Sequence, residues 1–218
     1  MLMKTWCPYS RYGGEFAECL SLYVEPTKRL CMACRAIERP PLELEWDVGS
    51  DLVGDFVAAG APIIARLKVA DELTQHFKGF TTRPVNFPEH PNLMRPKPPK
   101  RTRKKRVWLP YEGPPLCEIV VTQEVDLLPQ SSVEYESVCK ECGRPAYRSF
   151  NGIEKRRGQL ITPRIPGQGL FVSKKSLAGC DFFKPRNSGL TLCTDRVKEF
   201  MEQRGYTNIG FLEVGEVI

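Results

Sequence analysis

Apolar and polar residues alternate over short stretches of this chain, and such alternation predicts half-buried β-strands. Leu42, Leu44 and Trp46 alternate with acidic residues in this way. The segment 52–57, with four apolar side chains, predicts a short helical turn. Longer apolar segments predict strands over residues 116–125, 190–193 and 209–214, while Ile63 and Ile64 predict either a buried strand or the start of a helix.

Two other segments place their apolar residues at helical spacing. The first runs from Val69 to Lys78, and Gly79 follows where a helix C-terminus is expected. The second runs over residues 195–204 and is followed by Gly205. Because strands and helices are both indicated and their order is not a regular alternation, we predict the α+β fold class.

The two predicted helices belong to a longer pattern that occurs twice. Asp55-Phe56, a strand, a helix and Gly79-Phe80-Thr81 match Asp181-Phe182, a strand, a helix and Gly205-Tyr206-Thr207. Each copy also follows a CxxC motif. The simplest interpretation is an imperfect tandem duplication. The alternative is a chance similarity of two strand-helix-strand units, since the helices share few identical residues.

The cysteines carry the strongest chemical signal in the sequence. Cys31 and Cys34 form one CxxC motif, and Cys139 and Cys142 form a second, followed by Gly143. Two thiolates separated by two residues on a tight turn offer half of a tetrahedral zinc shell, and glycine can close such a turn in the left-handed conformation. We therefore predict one structural zinc site that joins distant parts of the chain.

Other interpretations of the cysteines remain open. The total of nine is odd, which argues against a closed disulfide framework. Cys7 and Cys19 offer a local four-thiolate site together with the first CxxC motif. A CxxC motif can also be a redox dithiol, but the residues around Cys139 predict a turn between short strands and not a thioredoxin-like strand and helix. The cysteines can finally be plain buried residues.

A proline-rich segment divides the chain. Nine prolines fall among residues 84–115, a composition that resists helix formation and cannot build a core. We predict an N-terminal half over residues 1–83 and a C-terminal half over residues 116–218, each with one CxxC motif. The predicted fold is therefore two similar strand-helix-strand halves joined by a zinc-ribbon-like pair of CxxC knuckles.

The positive charge of the chain is concentrated within that linker. Residues 95–106 carry eight basic side chains and no acidic one, so the net charge of +6 leaves 6 − 8 = −2 for the rest of the chain. A charged run is most simply a solvated loop; it can also contact an acidic protein partner or the phosphates of a nucleic acid. The predicted partner-binding residues are Arg101, Arg103, Lys104, Lys105 and Arg106.

The sequence contains few of the features that enzymes use. His76 and His90 are its only histidines, and neither has a second histidine nearby; His76 is predicted to be a structural residue and His90 a solvated one. Hydrolytic zinc sites need an open coordination position and usually histidine or carboxylate ligands. No Gly-rich phosphate loop or nucleophile elbow occurs. We therefore predict a protein without catalytic activity.

Composition and apolar run lengths predict a cytoplasmic globular protein. The chain of 218 residues is 41% hydrophobic and 27% charged, which is typical of globular proteins. No apolar run is long enough to span a bilayer, and no secretory signal is recognisable at the start. No membrane association is expected.

The two CxxC motifs, the second written Cys139-Lys140-Glu141-Cys142-Gly143, and the segment from Asp181 to Glu213 resemble the bacterial double-CXXCG-motif family. The first motif departs from it, with Arg35 where the family favours glycine. Members are immunity proteins paired with polymorphic toxins. The resemblance implies a zinc-clamped scaffold that binds and neutralises a cognate protein toxin in the cytosol. The alternative function is a zinc-ribbon nucleic-acid-binding protein that uses the basic tract 95–106.

Overall fold

The computed structural model describes residues 3–10, 15–22, 26, 28–34, 38, 40–47, 52–60, 62–88, 111–150 and 164–218. Within these residues the protein is mixed α/β, with several sheets and few helices. The strands are β1 (Met3–Ser10), β2 (Glu18–Ser21), β3 (Leu44–Asp47), β4 (Phe56–Ala58), β5 (Ile63–Arg66), β6 (Phe80–Pro84), β7 (Leu116–Val121), β8 (Glu124–Val125), β9 (Val133–Val138), β10 (Pro145–Phe150), β11 (Leu170–Val172), β12 (Phe182–Pro185), β13 (Leu192–Thr194) and β14 (Ile209–Val217). The helices are α1 (Leu67–His76), α2 (Lys174–Leu177) and α3 (Asp195–Gln203).

The first sheet has the strand order β3-β2-β4-β5-β7-β6. Strand β2 runs parallel to β4, and the other neighbours are antiparallel. A parallel bridge between Glu43 and Asn86 joins the two ends of the sheet. The Leu44 N–H donates to the Asn86 carbonyl at 2.8 Å, and the Asn86 N–H donates to the Leu42 carbonyl at 3.0 Å. The first sheet therefore closes into a ring.

The second sheet has the strand order β11-β14-β1-β13-β12-β8. Strands β8 and β12 are parallel, as are β11 and β14, while β1 is antiparallel to both of its neighbours. An antiparallel bridge between Leu127 and Val172 joins the two ends. The Leu128 N–H donates to the Phe171 carbonyl at 2.8 Å. This sheet also closes into a ring, and β9 and β10 form a separate two-stranded ribbon.

Each ring contains one strand from beyond the predicted linker. Strand β7 lies between β5 and β6 in the first sheet, and β1 lies between β13 and β14 in the second. The division into residues 1–83, 84–115 and 116–218 stays a prediction of how the chain is organised along its length. In space, the first strand of each predicted half belongs to the sheet of the other half.

Three apolar clusters explain why the sequences of the central strands are continuously apolar and do not alternate between apolar and polar residues. One cluster belongs to the first sheet and one to the second, while the third is shared by both sheets. Successive residues on a strand point to opposite faces. In β4, Phe56 lies in the shared cluster and Val57 in that of the first sheet; in β12, Phe182 lies in the shared cluster and Phe183 in that of the second. Both faces of these strands are therefore buried.

Two segments differ from their predictions. Residues 116–125 were expected to form one strand, but the structure divides them between β7 in the first sheet and β8 in the second. Residues 52–57 were expected to form a helical turn, but the structure has the fully buried strand β4 at its end. Phe56 and Val57 are apolar because the two faces of β4 pack against two different clusters. Strand residues buried on both faces are apolar at neighbouring positions. Over so short a segment, this sequence pattern resembles the spacing of apolar residues in a helix.

The repeated Asp-Phe and Gly-aromatic-Thr sequences meet where the sheets contact each other. The Asp55 carboxylate accepts hydrogen bonds from the Thr207 N–H at 2.9 Å and the Thr207 hydroxyl at 2.8 Å. The Asp181 carboxylate accepts from the Lys78 N–H at 3.3 Å and the Arg196 guanidinium at 3.0 Å. Each aspartate thus binds the segment that follows the helix packed on the other sheet.

Replacing Thr207 with valine is expected to lower the free energy of unfolding by about 1–2 kcal/mol, because the hydroxyl that contacts Asp55 is lost while the shape is kept. Denaturant titration measures this value. Thr81 occupies the same place in the first copy of the repeated sequence and is exposed. Thr81→Val is the matched control and is expected to have little effect; equal losses in both variants would contradict the proposed role of the hydroxyl.

A network of charges links β1 to β14. Glu213 accepts hydrogen bonds from the Lys4 ammonium at 2.9 Å and the Arg164 guanidinium at 3.0 Å. The Arg164 side chain is 7% exposed and also contacts Glu216 and the Gln168 carbonyl. Although burial acts in the opposite direction, the hydrogen bonds from Lys4 and Arg164 lower the pKa of Glu213.

This pKa shift predicts how stability depends on pH. A carboxylate whose pKa is lower in the folded than in the unfolded state contributes stability that is fully present above the unfolded value of about 4.3 and is lost as the pH falls through the folded value. Glu213→Gln is therefore expected to cost about 1–3 kcal/mol near pH 7 and progressively less below about pH 4. Unfolding at several pH values measures the difference, and a constant difference would contradict this account.

Candidate metal centre

The second CxxC motif lies in the tight turn that joins the ribbon strands β9 and β10. The Cys139 N–H donates to the Arg144 carbonyl at 3.0 Å, and the Gly143 N–H donates to the Cys139 carbonyl at 2.8 Å. Gly143 has a φ of +67°, in the left-handed region that glycine adopts without strain. The predicted turn between short strands is confirmed, and we name residues 139–142 the second knuckle.

The first CxxC motif forms a turn of its own, residues 31–34, which we name the first knuckle. The Glu38 N–H donates to the Lys28 carbonyl at 2.9 Å, and the two side chains form an exposed ion pair at 3.2 Å. These contacts hold together the two chain segments that flank the first knuckle. In each half the knuckle therefore lies between segments that approach each other.

The two knuckles bring four sulfur atoms together. The sulfurs of Cys31, Cys34, Cys139 and Cys142 all lie within 4.8 Å of one another. The Cys31 and Cys139 sulfurs are 3.9 Å apart, and the Cys34 and Cys142 sulfurs are 3.7 Å apart, although 108 positions separate each pair in sequence. The predicted meeting of the two motifs is confirmed: these four cysteines lie close enough to hold a metal ion.

The distances fit four ligands around a common centre. Metal–sulfur bonds of about 2.3 Å in tetrahedral geometry separate the sulfurs by about 3.8 Å. The two measured cross-knuckle distances, 3.9 and 3.7 Å, lie beside that value. A disulfide needs about 2.05 Å, and all four residues are free cysteines. The donor set is suitable for a soft or borderline metal, and four protein ligands would leave no tetrahedral position open.

The pKa values of Cys139 and Cys142 shift in opposite directions. Backbone hydrogen bonds from Cys142 and Glu141 lower the pKa of the Cys139 thiol to about 7. A backbone hydrogen bond from Arg144 acts to lower the pKa of Cys142, but burial and the neighbouring thiols raise it to about 12. The Cys139 thiol therefore ionises more readily than the Cys142 thiol. A cation bound by these cysteines would supply positive charge that favours their thiolate forms.

Cys7 and Cys19 are not part of this cluster. Cys7 is buried in the apolar cluster of the second sheet, and Cys19 is buried in that of the first. Both are almost fully inaccessible, with 3% and 1% exposure. The local four-thiolate alternative, in which they would join Cys31 and Cys34, therefore does not describe the fold.

The other candidate residues lie away from the cysteine cluster or outside the described residues. His76 ends α1, with its ring 4.7 Å from that of Phe200, in agreement with a structural role. Glu141 was not predicted as a site residue, yet its carboxylate lies 4.0 Å from the Cys31 sulfur; its position inside the second knuckle was the available signal. His90 and the predicted partner-binding residues of the basic tract, 101, 103, 104, 105 and 106, lie outside the described residues.

Comparisons with known proteins do not assign this chain to a family. No protein-family model matches it, and no curated protein matches it either. The resemblance to double-CXXCG-motif proteins stays a prediction. Among the residues that the structure describes, no helix has both the length and the apolar character needed to cross a membrane.

Proposed function

We propose that this protein is a non-catalytic immunity protein whose scaffold is clamped by a structural zinc ion and which neutralises a cognate protein toxin in the cytoplasm. The single observation that carries the zinc clamp is the approach of the two knuckles, with cross-knuckle sulfur distances of 3.9 and 3.7 Å. The toxin partner rests on the resemblance of the two motifs and of the segment from Asp181 to Glu213.

Zinc is the metal that best suits this donor set. It accepts four cysteine thiolates in tetrahedral geometry, and such closed sites are structural. Cys31, Cys34, Cys139 and Cys142 would hold it. Metal analysis of protein purified without added metal is expected to find about one zinc per chain, and cobalt substitution is expected to produce thiolate charge-transfer absorption. A tightly bound metal other than zinc, or none, would contradict this part of the proposal.

The clamp would join two similar halves. Two observations support this interpretation. The parallel and antiparallel relations around the ring β2-β4-β5-β7-β6-β3 are the same as those around the ring β8-β12-β13-β1-β14-β11. The knuckles also occupy matching places, one between β2 and β3 and one between β8 and β11. A tandem duplication in which the halves exchanged their first strands, β1 and β7, accounts for both observations.

A closed thiolate shell suits a binding protein better than an enzyme. With four protein ligands, a tetrahedral zinc has no position for a reacting water or substrate. The metal would then act by holding the two halves in one arrangement, and a rigid surface loses less entropy on binding. Partner choice would come from complementary charge and shape, as is general for specific protein interfaces.

Co-expression tests the proposed function. A toxin-like reading frame adjacent to the gene of this protein is expressed in a bacterial host with and without the protein. The expected result is restored growth together with a complex of the two proteins on gel filtration. Cys142→Ser is expected to reduce protection and Cys180→Ser to retain it. Restored growth without a complex, or a complex without protection, would contradict neutralisation by binding.

The basic tract favours a second candidate function. Eight of the twelve residues 95–106 are basic, and this density is suited to phosphate contacts. If the protein binds nucleic acid, fluorescence anisotropy with a labelled oligonucleotide is expected to show an affinity that falls steeply with salt and is lost when residues 95–106 are deleted. No binding at modest salt would exclude this candidate.

A further inference from the structure

Two sulfur–sulfur distances of less than 4 Å within the cysteine cluster join opposite knuckles. Cys34 and Cys142 have sulfurs 3.7 Å apart, and Cys31 and Cys139 have sulfurs 3.9 Å apart. The two pairs share no cysteine, so both can form a bond at the same time. A disulfide of about 2.05 Å requires each pair of sulfurs to move together by less than about 2 Å, which is within the range of side-chain rotation.

Exposure distinguishes the two pairs. Cys34 and Cys142 are both exposed, whereas Cys31 is buried, with 8% exposure, and Cys139 is intermediate. Five further cysteines lie elsewhere in the fold, and four of these are buried. Oxidants in solution therefore reach the Cys34–Cys142 pair more readily than other cysteines in the chain.

We infer that the metal-free cluster is a thiol-oxidation site at which the knuckles become linked to each other, Cys34 to Cys142 first and Cys31 to Cys139 second. The oxidant class is a peroxide. One thiol loses its proton, and its thiolate attacks the peroxide to give a sulfenic acid and hydroxide, which that proton converts to water. The facing thiol then displaces a second water to form the disulfide. In sum, two thiols and one hydrogen peroxide give one disulfide and two waters.

The pairing decides whether the halves stay joined. A disulfide within one knuckle would leave the first knuckle free to separate from the second. A Cys34–Cys142 disulfide closes a loop across 108 positions and keeps the knuckles together without metal. Such a cross-link restricts the unfolded chain more strongly than a bond across two intervening residues. The site then joins the halves through a metal when its thiols are reduced and through disulfides when they are oxidised.

Peptide mapping can separate the two pairings because of where trypsin cuts. Cuts after Arg29 and Arg35 leave Cys31 and Cys34 in one peptide, 30–35. A cut after Lys140 places Cys139 and Cys142 in different peptides, and the Arg144-Pro145 bond resists trypsin, so Cys142 lies in peptide 141–148. Cross-knuckle oxidation links peptide 30–35 to 141–148. Oxidation within the knuckles never does.

The experiment uses the full chain, freed of metal by a chelator, treated with one equivalent of hydrogen peroxide, alkylated and mapped without reduction. The expected early product is peptide 30–35 joined to 141–148, with fragmentation placing the bond at Cys34 and Cys142. Cys34→Ser is expected to abolish that bond and to leave the Cys31–Cys139 disulfide available. Cys180→Ser, which removes a half-buried cysteine outside the cluster, is expected to leave the map unchanged.

Three results would overturn the inference: a dominant disulfide within peptide 30–35 between Cys31 and Cys34, a dominant bond between peptides 107–140 and 141–148 through Cys139 and Cys142, or disulfides between separate chains. Peptide mapping does not involve the toxin partner. A result that overturns the oxidation inference therefore does not contradict the proposed function. A parallel readout uses the metal-loaded protein. Two equivalents of peroxide are expected to release the metal, detected with a chromophoric chelator, while the melting temperature without reductant stays above that of the reduced metal-free protein.

Discussion

Replacing Cys142 with serine is expected to remove the metal and to lower the melting temperature by about 8–16 °C. Structural zinc contributes binding free energy directly to folding, with apparent values of roughly 10–16 kcal/mol in small peptides. Here the two rings have apolar clusters of their own, so we expect the loss to be smaller, about 4 kcal/mol. At about 2–4 °C per kcal/mol for a chain of this size, that loss gives the stated range.

The choice of control follows from burial. Cys180 is a half-buried free cysteine outside the cluster, and Cys180→Ser is expected to change the melting temperature by only a few degrees. Cys117 is a poorer control because it is buried in the shared cluster, where burial raises its pKa to about 11 and a serine hydroxyl would be costly. A chelator should destabilise the wild-type protein and not Cys142→Ser. Equal sensitivity of both to the chelator would exclude a metal clamp at the knuckles.

Replacing Arg83 with alanine is expected to cost about 3–5 kcal/mol of unfolding free energy, or roughly 6–20 °C in melting temperature. Glu118 lies on the buried strand β7, and its side chain is 1% exposed. The Arg83 guanidinium donates to its carboxylate at 2.6 and 3.1 Å. Removing Arg83 withdraws the cation that faces a charge with almost no access to water, and the desolvation cost of that charge is then poorly compensated.

A double-variant cycle isolates this pair. Glu118→Leu should recover most of the stability lost in Arg83→Ala, since an apolar side chain of similar size needs no counter-charge. Arg148→Ala is the matched surface control: it breaks the pair with Glu134, whose members are 72% and 50% exposed, and should cost less than about 1 kcal/mol. If Arg83→Ala and Arg148→Ala have similar effects, burial does not govern the strength of the pair.

Local patterns in the sequence predicted two of the three described helices, and the short helix α2 was not predicted. Helical spacing and the following glycines predicted helices over residues 69–78 and 195–204, and the structure has α1 over Leu67–His76 and α3 over Asp195–Gln203. Periodicity within a helix depends on residues three and four apart, so it can be read from neighbours in the chain. The segment 52–57 was predicted wrongly because strand β4 is buried on both faces, and its apolar residues carry no alternation.

The candidate metal ligands could also be identified from short sequence motifs. Spacing within each CxxC motif and the glycine after the second one identified Cys31, Cys34, Cys139 and Cys142 as candidate ligands, and the structure brings these four sulfurs within 4.8 Å of one another. The solvent exposure of each cysteine could not be predicted from these motifs. Nothing in the sequence distinguishes the buried Cys31 from the exposed Cys34 and Cys142, because burial depends on what the rest of the chain places over each sulfur.

The sequence by itself determined helices α1 and α3, most of the apolar segments that become strands and the four cysteines suited to a metal. The tertiary structure alone decided which strands are neighbours: β7 completes the first ring and β1 the second, and isolated bridges close both. The physical reason is that backbone hydrogen bonds between strands are the same for any pair of residues. Side-chain pattern selects a strand and its buried faces, but only the packing of both sheets on one shared core selects its partner.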